Sequence, residues 1–228
     1  MNWRPLPEER TVMYSPAWFR PVDTFTGGLP LPPLRVALHL FDAGTWVPTD
    51  LPARTTPSGV VTYPGLGRSR DPFAAPRRRY QARFSSEVYR PLYRTTRDGE
   101  QFVAAPYSDT IPPLPRATPV DVDLAPSPGY LFPGDVRVLR GVVVTAPGEP
   151  VRDALVAAAV GGGALPAARL VRAVTSERGD FVLPVRWFTA GSGTTVEASD
   201  LRASPVRRGV VTVVFPQAFE RINTIVIS

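Results

Sequence analysis

Chemistry at neutral pH needs a titratable group, a nucleophile or a set of metal ligands, and this 228-residue chain is poor in all three. It contains no cysteine, and all 26 of its basic residues are arginine. Thiolate nucleophiles, disulfides, cysteine–zinc sites and lysine catalysis are excluded on that count. His39 is the sole histidine and the only side chain whose ordinary pKa suits acid–base work near neutrality. It alternates onto the same strand face as Arg35 and Ala37, without the serine–carboxylate company of a triad, so it reads as a surface histidine. Asp121 and Asp123 share a strand face and offer calcium-type oxygen ligands, but two carboxylates are too few for a site. Gly161, Gly162 and Gly163 lack the Lys-Ser/Thr that completes a phosphate loop and read as a hairpin loop. Glu197 and Asp200 are the acids to watch for a hydrolytic pair, although nothing in their local setting recommends one. No catalytic residue, cofactor or metal is expected.

The charge pattern is more informative. Residues 68–97 hold Arg68, Arg70, Arg77, Arg78, Arg79, Arg83, Arg90, Arg94 and Arg97 against only Asp71 and Glu87, while the whole chain carries a net charge of +6. Phe73, Tyr80, Phe84, Tyr89 and Tyr93 are interleaved, a mixture that can stack on single-stranded nucleic acid. Tyr80 and Phe84 are required for a core by their alternation, which favours an acidic protein surface over nucleic acid as the partner, with a merely solvated arginine face as the remaining reading. The first twenty residues add Trp3, Trp18 and Phe19 among prolines, the composition of an arm that docks. Trp3, Trp18, Phe19, Arg77, Arg78 and Arg79 are therefore the candidate protein-binding residues. Aromatics and arginine are the types enriched in interface hot spots.

The elements that must position these residues are strands. Proline occurs 28 times, clustered at 29–33, 111–119 and 126–133, where it excludes helix. Val36, Leu38 and Leu40 alternate with Arg35, Ala37 and His39; Tyr80, Ala82 and Phe84 alternate with Arg79, Gln81 and Arg83; Val120, Val122 and Leu124 alternate with Asp121 and Asp123. Strands are expected again at 136–145, 154–160, 170–175, 180–187, 194–198, 210–215 and 222–227. Residues 154–159 are alanine-rich enough for a helix, but they lie opposite 34–39 in an internal repeat and so read as a strand.

That repeat has an offset of 120: Gly28 matches Gly148, Pro30 matches Pro150, Thr55 matches Thr175 and Gly59 matches Gly179. Turn residues in register with apolar runs between them indicate two copies of one unit. The expected organisation is an N-terminal arm at 1–20, a first domain at 21–125, a stiff apolar linker at 126–135 and a second domain at 136–228.

In the second copy, Gly148, Pro150, Val151, Ala154, Val156, Thr175, Gly179, Asp180, Phe181 and Leu183 resemble the pattern of the carboxypeptidase regulatory-like domain. The resemblance implies an all-β chain of two tandem transthyretin-like, immunoglobulin-like β-sandwiches following a proline-rich arm. Such modules have no activity of their own and serve as spacers or docking units. The purine-derivative hydrolases among transthyretin-like relatives carry histidines and a C-terminal Tyr-Arg-Gly-Ser; this chain ends Ile227-Ser228 and has one histidine. Related modules accompany cap and terminator subunits of phage-tail-like contractile injection systems.

The expected function is thus that of a non-enzymatic structural adaptor in a larger bacterial assembly, with protein subunits or further copies of itself as partners. A carbohydrate- or nucleic-acid-binding module is the alternative. Neither a secretion signal nor a membrane span is read from the pattern, so a cytoplasmic location is expected.

Overall fold

The computed structural model describes residues 14–93, 98–111, 118–159, 170–185, 190–191 and 193–228. Among the described residues the regular structure is all β apart from one 3-10 turn at Gln217–Glu220. The first nine strands are β1 (Trp18–Asp23), β2 (Arg35–Asp42), β3 (Thr45–Pro48), β4 (Arg54–Thr55), β5 (Val61–Thr62), β6 (Arg78–Ser85), β7 (Tyr89–Leu92), β8 (Glu100–Ala104) and β9 (Val120–Pro126). Seven more follow: β10 (Arg137–Thr145), β11 (Leu155–Ala159), β12 (Leu170–Val174), β13 (Asp180–Val185), β14 (Gly193–Asp200), β15 (Arg207–Val214) and β16 (Asn223–Ile227). The alanine-rich segment at 155–159 is a strand. Among the described residues no helix is long and apolar enough to cross a membrane.

Four sheets are formed, and their strand orders repeat. The order β3-β2-β6-β8 recurs as β12-β11-β14-β15, and β5-β1-β9 recurs as β13-β10-β16; β4 and β7 flank the first set, giving β4-β5-β1-β9-β7. By compactness the chain divides into two units. One holds the described part of Met1–Arg20 with Ala37–Arg83 and Gly99–Asp121; the other holds Pro21–Val36, Phe84–Asp98 and Val122–Ser228. Residues 126–135, expected as a linker, lie within the second unit.

The core of the first unit is aromatic. Phe102 of β8 stacks near-parallel on Tyr63 and on Tyr80 of β6, with ring centroids 6.1 and 5.7 Å apart, and meets the edge of Phe19 of β1 at 5.7 Å. Offset and edge-on contacts of this kind suit the ring quadrupoles. The second unit has an aliphatic core, with Leu139, Val143, Val156, Ala158, Leu183, Val196, Val213, Ile225 and Ile227 closing around Phe181 and Phe215. Both β13-β10-β16 and β12-β11-β14-β15 contribute to it. The expected inward residues Phe181 and Leu183 are 1% and 0% exposed.

Local geometry repeats where the sequence does. Gly59 and Gly179 both take the left-handed backbone, φ 79° and 78°. Each closes the same hairpin turn: Gly59 N–H donates to Thr56 O and Thr56 N–H to Val60 O, as Gly179 N–H donates to Ser176 O and Ser176 N–H to Asp180 O. Only glycine takes such a φ without strain. Thr175 is fully buried, its hydroxyl donating to Val151 O at 2.7 Å and accepting from Ala154 N–H at 2.8 Å. Its sequence counterpart Thr55 is exposed in β4 and does not perform this role.

The offset itself shifts upstream. Phe19 pairs with Val61 where Gly141 pairs with Phe181, so β1 and β10 correspond at an offset of 122 while β5 and β13 correspond at 120. The turn after β1 is one residue longer than its counterpart. Asp23 N–H reaches Gly28 O, whereas Thr145 N–H reaches Glu149 O. That turn accounts for one of the two residues of the shift, and at the paired positions the two copies place a phenylalanine on opposite strands.

That placement corrects the expected arm. Trp18, Phe19 and Arg20 belong to β1, and Phe19 is 2% exposed. Phe19 is therefore a core residue of the described structure and not part of a docking arm. Trp18, its neighbour on the opposite strand face, remains 37% exposed. Trp3 lies outside the described residues.

Candidate functional site

The arginine-rich segment separates into engaged and unengaged groups. Arg68 forms an ion pair with Asp109, Arg83 donates from Nε to Gln81 Oε1 at 2.9 Å, and Arg90 donates to the carbonyls of Ser86 and Tyr89. Arg70, Arg77 and Arg78 are exposed and make no side-chain hydrogen bond or ion pair among the described residues. Arg94 and Arg97 lie outside the described residues.

Arg79 is different from its neighbours. It leaves β6 with its guanidinium carbon 4.7 Å from the Phe41 ring centroid and 5.9 Å from that of Trp46. Its terminal nitrogen donates to Gln101 Oε1 at 3.2 Å. Strand pairing explains the gathering: Trp46 of β3 lies opposite Phe41 of β2, and Arg79 of β6 lies opposite Val103 of β8. Directly opposed residues share a sheet face. In the order β3-β2-β6-β8 the four side chains Trp46, Phe41, Arg79 and Val103 make one row across the sheet. Phe41 and Trp46 are half-buried, Arg79 is exposed and Val103 is 48% exposed. A tight turn through Ala43 and Gly44, both at positive φ, sets the β2–β3 register that brings the two rings together.

Sequence reasoning found Arg79 but missed Phe41, Trp46 and Gln101. The available signal was the Asp42-Ala43-Gly44-Thr45 turn flanked by two aromatics, which marks a hairpin with an aromatic cross-strand pair.

The candidate catalytic groups do not assemble. His39 is half-buried, a correction to its expected place on an open surface, and among the described residues its buried Nδ1 has no hydrogen-bond partner. Burial, and secondarily the Arg83 charge, push its pKa below the usual histidine value. A general base needs an orienting acceptor, and none reaches this nitrogen. Asp121, expected to be solvated, accepts a two-pronged contact from Arg20 at 2.6 and 2.9 Å. No group of three or more histidine, cysteine, aspartate or glutamate side chains able to hold a metal occurs among the described residues. Glu197 and Asp200 lie three positions apart in β14, hence on opposite faces. They pair separately, Glu197 with Arg208 at 3.6 Å and Asp200 with Arg207 at 2.6 Å. The three glycines at 161–163 lie outside the described residues.

In the second unit, the buried Asp23 carboxylate accepts hydrogen bonds from the hydroxyls of Tyr89 at 3.1 Å and Tyr130 at 2.9 Å. Its other oxygen accepts from the backbone N–H of Phe25 and Thr26. Burial, then the Asp23 contact, raises the pKa of the Tyr130 hydroxyl. These bonds tie the turn after β1 to β7 and to residues 126–135, a structural lock in which each acceptor is used. In the first unit, a cleft of about 600 Å³ is lined by Leu51, Pro52, Arg54, Thr55, Tyr63 and Leu66 among others. Apart from Arg54 it offers hydroxyls and apolar surface, without a convergent set of polar groups.

No family model matches the chain, and neither a curated protein nor a solved structure matches it.

Proposed function

We propose that this chain is a non-enzymatic structural adaptor, two tandem transthyretin-like β-sandwiches that dock into a larger bacterial protein assembly. The repeated strand order and the repeated Gly59 and Gly179 turns support the tandem reading, with the first sandwich running from β1 to β9 and the second from β10 to β16. The resemblance to modules that accompany cap and terminator subunits makes a phage-tail-like contractile injection particle the first assembly to examine.

The observation that carries the docking reading is the run of exposed arginines at the start of β6, one of them seated on an aromatic pair. Asp109, Asp121, Asp153, Asp200 and Glu197 are each paired with an arginine of the same chain. Among the described residues Arg77 and Arg78 are exposed and unpaired, beside the pre-oriented Arg79. Exposed guanidinium groups clustered in this way suit recognition of carboxylates.

The test is isolation of the tagged chain from its native cells at low salt, with the retained companions identified by mass spectrometry. Defined protein subunits are expected, and R77S/R78S/R79S is expected to shed them at a lower salt concentration than the unmodified chain. Recovery of the chain alone sinks the reading. Companions that leave on nuclease treatment, and not with salt-matched buffer, replace it with nucleic-acid binding.

A further inference from the structure

We infer that the row Trp46, Phe41, Arg79 and Val103 is the anchor of the docking face, and that its occupant is a protein segment presenting a carboxylate beside an apolar side chain. This rests on the adaptor reading and names the chemistry of its partner. The sequence pattern alone treats Arg77, Arg78 and Arg79 as equivalent. The structure separates them: Arg79 is held by two rings and by Gln101, while Arg77 and Arg78 have no side-chain partner among the described residues.

That difference has an energetic consequence. An arginine on docking loses rotamer freedom, and a guanidinium already fixed against an aromatic ring has lost much of it beforehand. The fork of Arg79 uses one nitrogen on Gln101 and has no other hydrogen-bond acceptor among the described residues. A planar, pre-oriented fork matches a carboxylate in two-pronged fashion. Val103, directly opposite Arg79 and 48% exposed, supplies an apolar contact beside it. Arg77 and Arg78 then act at longer range, raising the encounter rate with an acidic surface in a salt-sensitive way.

Geometry disfavours the stacking ligands. The Phe41 and Trp46 rings are 5.0 Å apart but inclined at 59°, so they present no common flat face. The Phe41 face toward β6 is occupied by Arg79. Bases and pyranose rings bind by lying flat on such faces. The exposed Val103 offers nothing to a phosphate backbone.

The experiment uses the full-length chain, immobilised, against a displayed random-peptide library, with R79K and R78K in parallel and oligo-dT as the nucleic-acid probe. Thermal unfolding confirms that each variant is folded. The unmodified chain should enrich peptides carrying aspartate or glutamate next to an aliphatic or aromatic residue. R79K keeps the charge and loses the planar fork, and should weaken the enriched peptides about thirtyfold, the fold-change of a hot-spot residue. R78K should change them about twofold or less. Enrichment without acidic residues, or equal binding by R79K and the unmodified chain, overturns the inference. Oligo-dT binding that R79K abolishes, with peptides unaffected, assigns the row to nucleic acid instead. The adaptor reading fails separately, when the chain isolated from native cells carries no protein subunit even though acidic peptides select Arg79.

Discussion

Across the sheet β3-β2-β6-β8 one row of side chains reads Trp46, Phe41, Arg79, Val103; across β12-β11-β14-β15 a row of successively paired residues reads Arg172, Ala157, Glu197, Val210. The strand orders are the same. In the second sheet the central side chain is a methyl group, and the acid beside it is balanced by Arg208 at 3.6 Å. In the first the centre is aromatic, and the arginine above it has no carboxylate partner among the described residues. The second row also holds an exposed guanidinium, Arg172 at its edge, so what a sheet of this order is complete without is the pair of rings. What the first row carries beyond the second is available for contacts outside the chain.

The cores differ in the same sense, and the difference can be broken by mutation. Phe19 fills the aromatic core of the first unit against Phe102, whereas Trp18 stands on the open side of the same strand. Phe19→Ala should cost about 3–5 kcal/mol, the usual penalty for deleting a buried ring. Trp18→Ala should stay within about 1 kcal/mol, because a partly exposed side chain gives up far less buried surface. Urea unfolding of the two variants measures both. Similar losses would mean that Phe19 is not the ring on which the first core closes.

The second break tests the exchanged phenylalanine. Gly141 lies under the Phe181 ring and against the carbonyl of Asn223, and a Cβ built there overlaps both. Gly141→Ala should destabilise by about 1–3 kcal/mol through overpacking. The cost should be smaller in a Phe181→Val background, where the β10–β13 pair carries the small residue that β5 carries opposite Phe19. Equal costs in both backgrounds would show that the Asn223 carbonyl alone sets the penalty, and that the two pairs are not complementary versions of one contact.

This exchange also shows why part of the fold was legible and part was not. Turns that need positive φ announce themselves, so Gly59 and Gly179 lay in register in the sequence and make the same hairpin. The strands of the second copy alternate or run apolar and were placed close to their observed ends. An insertion within a loop leaves no such mark. The offset moves from 120 to 122 between β5 and β1, so Phe19, read without its strand partner Val61, looked like an arm residue. The docking row was half legible for a similar reason. Arginine density flags Arg79, but nothing in 77–79 says which guanidinium meets a ring, because Phe41 and Trp46 come from a hairpin more than thirty positions upstream. Burial of His39 was hidden too: alternation assigns a face, and what covers that face is set by tertiary packing.

The smallest expected effect separates the two sheets by pH. His39 belongs to β2 of the first and Asp200 to β14 of the second. Burial and then Arg83 lower the His39 pKa, so the folded state favours the neutral ring. A depressed folded value means that the contribution is present above the unfolded pKa, about 6.5, and is lost as pH falls through the folded value. Burial alone would raise Asp200, but the Arg207 hydrogen bond, the backbone N–H groups of Arg202 and Ala203 and the Arg207 charge outweigh it and leave its pKa lowered. Its contribution is likewise lost on acidification, but only below the unfolded carboxylate value of about 3.9. Thermal unfolding midpoints should therefore decline in two steps as pH is lowered from 8, a shallow one below about 6.5 and a separate one below about 4. His39→Gln should remove the first step and leave the second, and Asp200→Asn should do the reverse at a lower overall stability. A first step that persists in His39→Gln would mean that His39 is as open to water in the folded chain as in the unfolded one, and would return it to the solvated face of β2.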